Sequence, residues 1–237
     1  MPAAFQAPAV VLTGAGASLE LPAQVKRLGA TVLLVTDRYF ASNGLADRFV
    51  QALAREGIAT TIFSDVQPDP TVRNADDGLR VLRACGAEIV VALGGGSPID
   101  AAKAIAVLAT NPGPLSDYAG YHRIPARGVP VIAVPTTAGT GSEVSKVTVI
   151  TDTERDVKMM MYDANLLPVA ALVDFELTLS MPAPLTAHVG VDTLTHGIEA
   201  YVSRKANAMT DPLALSCVRL AARNLYTAWS EPDNRAA

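Results

Sequence analysis

His196 follows Asp192 by four residues in the stretch Gly190-Val-Asp-Thr-Leu-Thr-His-Gly-Ile-Glu-Ala-Tyr201. On a helix that spacing puts both side chains on one face, one above the other. A carboxylate and an imidazole so placed can hold a divalent metal ion, or can form nothing more than a helical salt bridge. His188 lies four residues before Asp192, which suggests three ligands along one stripe. At ~1.5 Å rise per residue, His188 and His196 would sit ~12 Å apart along the axis. Ligands ~2.0–2.2 Å from one ion cannot span that distance. One histidine at most can share an ion with Asp192, and spacing does not choose between them. The third histidine, His122, sits in a Pro- and Gly-rich segment and reads as an exposed loop residue.

A second chemistry is written in Gly94-Gly-Gly-Ser97-Pro98-Ile-Asp100. Glycines let the backbone approach a ligand closely. Ser97 suits an N-cap, Pro98 the first helical position, and Asp100 the partner in a capping box with Ser97. A helix N-terminus following a strand is an anion site, and pyrophosphate is its usual occupant. The plain alternative is a tight turn before a well-capped helix. The stretch is not GxGxxG, and no Lys-Ser or Lys-Thr follows, which disfavours a P-loop ATPase. Asp37, after the run Thr31-Val-Leu-Leu-Val35, could accept from a ribose 2′-hydroxyl and would repel a 2′-phosphate, favouring NAD over NADP. It could equally be an exposed turn residue. Thr136, Thr137, Thr140 and Ser142 crowd hydroxyls into Pro135–Glu143, as a phosphate-binding turn or a plain Ser/Thr turn would. Lys158, within the apolar Val157–Met161, either snorkels outward or points at a ligand.

The elements that must position these residues alternate. Strands are expected at 9–12, 31–35, 58–63 and 88–93, with helices at 19–28, 45–55, 71–85 and 98–109 between and after them. Continuous apolar runs fit strands covered on both faces, and the alternation predicts an α/β domain with a mainly parallel, Rossmann-like sheet. Ligands in such sheets bind beyond the C-terminal ends of the strands, where Asp37 and Gly94–Ser97 fall. Residues 111–130 read as a loop, 131–134 and 169–173 as strands, and 147–151 with 157–161 as a hairpin. After Asp174 the pattern becomes helical, at 184–203 and 211–229. The boundary is placed near 176–181, giving a dinucleotide-binding domain over 1–178 and the beginning of a helical metal-binding domain over 179–237.

Composition narrows the classes. Half of the 237 residues are hydrophobic, 18% are charged and the net charge is −4 with no basic run. A real core is expected, and nucleic acid is not an expected partner. Cys85 and Cys217 are isolated, which fits a reducing compartment. The absence of a signal-like N-terminus or a ~20-residue apolar run predicts a soluble, cytoplasmic protein without a membrane partner.

Three stretches together resemble the iron-containing (group III) alcohol dehydrogenases: Gly94-Gly-Gly-Ser-Pro-Ile-Asp-Ala-Ala-Lys103, Pro135-Thr-Thr-Ala-Gly-Thr-Gly-Ser-Glu-Val144, and Gly190 to Ser203. The resemblance runs from about Val10 to Trp229. It implies that Asp37 meets the adenosine ribose and that Gly95, Gly96 and Ser97 hold the pyrophosphate. It implies that Thr136, Thr137 and Thr140 line the cofactor, that Lys158 approaches the nicotinamide ribose, and that Leu177 lies beside the cofactor site. Asp192 and His196 become two of four protein ligands to Fe²⁺, with Zn²⁺ in some relatives, which selects His196 over His188. The implied reaction is hydride transfer between a small alcohol and NAD, the alcohol oxygen being polarised by the metal. No catalytic side chain beyond the metal ligands is implied, and the full-length parent is expected to be a homodimer. The family's other two ligands are downstream histidines, whereas no histidine follows His196. The resemblance therefore implies a C-terminally truncated member. Relatives often carry Asn where this chain has Asp69 in Gln67-Pro-Asp-Pro-Thr71. Two other readings stay open: a metal-free maleylacetate-reductase-like enzyme, and an inactive cofactor-binding remnant.

Overall fold

The structure is a computed structural model that describes residues 4–236. By its internal contacts the chain divides into two compact units: Ala7–Pro135 with Ser142–Asp174, and Thr136–Gly141 with the chain from Phe175 onward.

The first unit is built on a six-stranded parallel sheet. Its strands are β1 (Val10–Thr13), β2 (Thr31–Asp37), β3 (Ala59–Val66), β4 (Ile89–Gly94), β6 (Val131–Pro135) and β9 (Ala170–Val173), in the order β1-β9-β6-β4-β2-β3. Every pairing in this sheet is parallel. From β2 the chain moves outward to β3, then returns to place β4 on the other side of β2. Between β2 and β4 the direction of winding reverses, and a crevice opens there at the strands' C-terminal ends. Residues 32–36 of β2 and all of β4 and β6 are buried. Successive side chains point to opposite faces, so burial of both parities means that both faces are covered. The helices between strands are α1 (Leu21–Lys26), α2 (Arg38–Ser42), α3 (Leu45–Arg55), α4 (Val72–Cys85) and α5 (Gly96–Thr110). The fold class expected from the alternation is the one observed.

Two details differ from the sequence reading. The expected helix at 19–28 is a 3-10 turn, Ala17–Glu20, leading into a short α1, with Pro22 in its first turn. The expected loop at 111–130 contains a 3-10 turn, Leu115–Tyr118, and a two-residue strand, β5 (Gly120–Tyr121). That strand joins the hairpin of β7 (Val147–Asp152) and β8 (Val157–Tyr162) in a small second sheet, β5-β8-β7.

Helix α5 is apolar nearly all round. Ile99, Ala101, Ala102, Ala104, Ile105, Ala106, Val107 and Leu108 are all buried, as expected of a helix enclosed by its domain. Alanines let neighbouring backbone come close. A methyl group added to Gly128 would lie 2.4 Å from the Ala106 carbonyl oxygen of this helix. The one cation in α5, Lys103, is 1% exposed. Its ammonium donates to the carbonyls of Val147 (2.7 Å) and Ser145 (2.9 Å) and to the Ser145 hydroxyl (3.2 Å). One turn earlier, Asp100 accepts from the Val149 N–H at 2.9 Å, and its carbonyl accepts from the Thr148 hydroxyl at 2.9 Å. A buried cation and a half-buried carboxylate thus bind α5 to β7. Burial lowers the Lys103 pKa to about 8 against the pull of Asp100 and Glu143. Burial also pushes both carboxyls above their ordinary range.

The second unit contains α6 (Ala183–Val202) and α7 (Thr210–Ser230), packed on each other. Gly190 and Gly197 make that contact close: a β-carbon would fall 2.0 Å from Leu225 Cδ1 at the first and 2.9 Å from Val218 Cγ2 at the second. Away from the contact the helices expose Val191, Ile198, Tyr201, Val202, Leu213, Leu220, Tyr226 and Trp229. No helix among the described residues is long and apolar enough to cross a membrane.

The Lys103 site generates a pH prediction. Its folded pKa of about 8 lies below the ordinary 10.5, so between those values the unfolded chain binds the extra proton. Stability therefore rises with pH across that window through this group. In urea titrations, the stability of the native chain relative to Lys103→Met is expected to increase by on the order of 3 kcal/mol between pH 7.5 and 10.5. Parallel pH dependences for the two proteins would refute it.

Candidate functional site

The glycine turn lies where the sheet topology places ligands. Gly94 ends β4 with φ 148°, a left-handed conformation closed to other residues, and a β-carbon there would lie 2.5 Å from Pro98 Cγ. Gly95 is the N-cap of α5, in extended conformation and with no side-chain cap, and Gly96 is the first helical residue. This corrects the expected capping box. Ser97 lies inside the first turn, and the Asp100 carboxylate is drawn away to β7. The reason is steric: the tight approach of Gly94 to Pro98 starts the helix one residue before Ser97. The consequence is chemical, because among the described residues the N-cap of this fifteen-residue helix makes no side-chain cap hydrogen bond.

Asp37 ends the adjacent strand β2. It is the N-cap of α2, its Oδ1 accepting from the Phe40 N–H at 3.0 Å, and it is part-buried at the opening of the crevice. This orders the carboxylate and leaves Oδ2 for another donor. The strand register shifts between Val35 and Asp37, and beyond the irregularity Asp37 pairs with Val66 of β3. Lys158, in β8, is exposed and ion-paired with Asp69 at 2.6 Å. Asp69 has φ 55°, between Pro68 and Pro70, and the Pro70 carbonyl accepts from the Thr151 N–H at 2.8 Å. Of the two orientations open to Lys158, the outward one is observed.

The second unit holds the other candidate residues. Thr136 and Thr137 have hydroxyl oxygens that are buried without a hydrogen-bond partner among the described residues. A buried unsatisfied hydroxyl costs on the order of 1–3 kcal/mol, so such a pair calls for ligand oxygens or water. Thr140 lies in the same segment, part-buried, and Leu177 in the 3-10 turn Phe175–Leu177.

Asp192 and His196 lie on α6 as the spacing requires, with His196 Nε2 3.7 Å from Asp192 Oδ1. His196 Nδ1 lies 3.3 Å from the carbonyl oxygen of Gly139. A carbonyl can only accept, so in this contact Nδ1 is the donor, and Nε2 is the ring nitrogen turned toward the carboxylate. A carboxylate and an imidazole nitrogen at this spacing form an i,i+4 pair or serve a cation between them, and a backbone carbonyl behind the imidazole is the usual support of a metal-binding histidine. The arrangement fits a divalent ion. A second contact fixes the loop: the Thr193 hydroxyl donates to the Ala138 carbonyl at 3.1 Å and to Val189 O at 2.8 Å. Gly139 packs so tightly that an added methyl would lie 2.5 Å from the Val189 carbonyl. Among the described residues no third carboxylate, imidazole or thiol joins the pair. His188 and His122 are exposed and are not part of it.

Sequence reasoning missed Gly139, because its contribution is a backbone carbonyl with no side-chain signature. It also missed Lys103, although a lone lysine in an otherwise apolar helix was a readable signal.

Comparison with known proteins identifies the family. The family model described as "Iron-containing alcohol dehydrogenase" matches residues 8–175, and the model for the C-terminal region of the same family matches 186–237. The chain is 40% identical over 217 residues to an NAD-dependent methanol dehydrogenase of Bacillus methanolicus, covering 91% of this chain and 57% of that protein. It is 43% identical over 202 residues to a 1,3-propanediol dehydrogenase of Citrobacter freundii, covering 84% and 52%. Among solved structures, a 1,3-propanediol oxidoreductase superposes with a TM-score of 0.96 at 39% identity, over 99% of this chain and 62% of that one. A sulfoacetaldehyde reductase from Bifidobacterium kashiwanohense, solved in complex with NAD⁺, superposes at 0.89 with 33% identity, over 99% and 62%. The chain thus spans about half to three-fifths of the length of these relatives. With family models matching 8–175 and 186–237, the chain belongs to the iron-containing alcohol dehydrogenases.

Proposed function

We propose that this chain binds NAD and contributes two metal donors to an enzyme that transfers hydride between NAD and a small alcohol or aldehyde. The observation that carries the reading is the uncapped N-terminus of α5, opening at the point where the sheet reverses its winding and facing a strand that ends in Asp37. Free N–H groups and the helix dipole attract a pyrophosphate there, and Asp37 accepts from a ribose hydroxyl through Oδ2. The hydroxyls of Thr136 and Thr137, with Thr140, donate to cofactor oxygens, and Leu177 supplies an apolar contact. Lys158 reaches the nicotinamide ribose once released from Asp69. Asp192 and His196 hold a divalent ion, with Fe²⁺ favoured and Zn²⁺ the alternative, since a carboxylate and an imidazole suit both. When bound, the metal supplies Lewis-acid polarisation of the substrate oxygen and NAD⁺ supplies the hydride acceptor. Gly139 holds the His196 proton on Nδ1, so that Nε2 remains a donor of electrons throughout. The working assembly is a dimer of a chain as long as its relatives.

A second reading has its own observation. With only two donors brought together among the described residues, the 237-residue chain alone holds metal weakly and turns over slowly. Robust NADH production from a primary alcohol by this chain with Fe²⁺ would overturn it. The Asp–His pair speaks against a metal-free relative.

Two outcomes test the first reading. Gly95→Glu places a carboxylate at the helix N-terminus, where it suits the dipole but occupies the pyrophosphate position. NADH affinity, read by fluorescence titration, is expected to fall at least about 10-fold without a drop in the melting temperature; unchanged affinity would remove the pyrophosphate assignment. Gly139→Ala must displace the Val189 carbonyl and with it the hold on His196. Zn²⁺ affinity by calorimetry is expected to weaken about 10- to 100-fold, as it does when such supports are removed, and to be lost in His196→Ala. A variant that binds Zn²⁺ as the native chain does would refute the pair as a metal site.

A further inference from the structure

Beside Asp37 stands a group the dinucleotide reading does not use. Arg38 follows Asp37 directly, and its Nε and Nη2 both donate to Asp65 Oδ1, at 3.2 and 3.0 Å. Asp65 lies next to the end of β3, the strand that pairs with β2, and Asp37 is in register with Val66. The Arg38–Asp65 pair therefore lies at the C-terminal edge of β2 and β3, next in the chain to the residue proposed for the ribose. The side chains of the pair are 85% and 62% exposed. An ion pair this exposed contributes little to folding, so stability gives no account of why it should form.

Its chemistry does. Where a dinucleotide site accepts a 2′-phosphate, an arginine near the acidic ribose position receives it, because the guanidinium fork matches phosphate oxygens. Here an arginine occupies that place in the chain, but its fork is turned onto Asp65. The position of Asp65 is built independently of its side chain. Its carbonyl accepts from Asn74 Nδ2 at 2.7 Å, and Asn74 is locked in a capping box with Thr71, whose N–H donates to Asn74 Oδ1 at 2.8 Å. The backbone that carries Asp65 is thus held in place.

We propose that Asp65 is a specificity-determining residue: by holding Arg38 it denies a 2′-phosphate the guanidinium beside the ribose site. The proposal rests on the dinucleotide reading and adds to it. Asp37 rejects the phosphate by charge, and Asp65 rejects it by engaging its natural receptor. Removal of Asp37 alone is then an incomplete switch, and Arg38 becomes a phosphate ligand only when Asp65 lets go.

The test is a cycle of variants of this chain read by NADH and NADPH fluorescence titration, with melting curves for each. Asp37→Ser removes the charge and keeps a good cap on α2. The native chain is expected to bind NADH and to bind NADPH about 100-fold more weakly. Asp37→Ser should narrow that gap about 10-fold. Adding Asp65→Asn, which keeps the shape and loses the charge, should improve NADPH binding a further 5-fold or so, and adding Arg38→Ala should cancel that gain. The Arg38-dependent gain should shrink at high salt, as exposed charge contacts do. No gain from Asp65→Asn, or a gain that survives Arg38→Ala, overturns the proposal while leaving the dinucleotide reading intact. Failure of the native chain to bind NADH overturns both.

Discussion

Helix α5 is enclosed on all sides, and that enclosure decides where its N-terminus points. A helix with one apolar stripe can rotate or tilt at modest cost. A helix whose Ile99, Ile105, Val107 and Leu108 are all buried has one seat. Gly128 closes on its backbone at Ala106, and Lys103 and Asp100 bind it to β7 through carbonyl and N–H groups that no other orientation would meet. The position of the helix's N-terminal end is therefore a consequence of packing at its middle. Charged side chains carry out this task at a cost, since burial opposes the charged form of both.

Backbone groups do much of the work in both halves of the candidate site. The N–H groups of α5 are available because the turn Gly94–Gly96 starts the helix before any capping side chain can reach it. The imidazole of His196 is oriented by the carbonyl of Gly139, which in turn is set by the close approach of that glycine to Val189. In each case a missing β-carbon lets main chain approach main chain.

The helical unit shows the same economy in its internal packing and a different exterior. Gly190 and Gly197 let α6 and α7 approach closely, and Asp192 and His196 lie on the first of these helices. The outer faces carry Ile198, Leu213, Leu220 and Tyr226 in solvent, an apolar extent that soluble monomers seldom expose. The chain also spans little more than half of its relatives. Both facts bear on why the catalytic function is assigned to a chain of the relatives' length.

Periodicity and punctuation alone determined the alternation of strands and helices, the two long C-terminal helices and the glycine turn, because these depend on residues near in sequence. The spacing of the three residues likewise showed that His188 and His196 cannot both share one ion with Asp192, since helical rise is a local constant. Three things were decided only by tertiary structure. The reversal of winding between β2 and β4 depends on which strands pair, and pairing is a long-range choice that burial on both faces leaves open. The true cap of α5 differs from the one its side chains suggested, because β7, some fifty residues away, competes for Asp100 and wins. The tautomer of His196 and the restraint on Arg38 depend on Gly139 and Asp65, residues 57 and 27 positions away in the chain. A sequence displays which groups are present; which groups face each other is settled by the packing that brings distant backbone together.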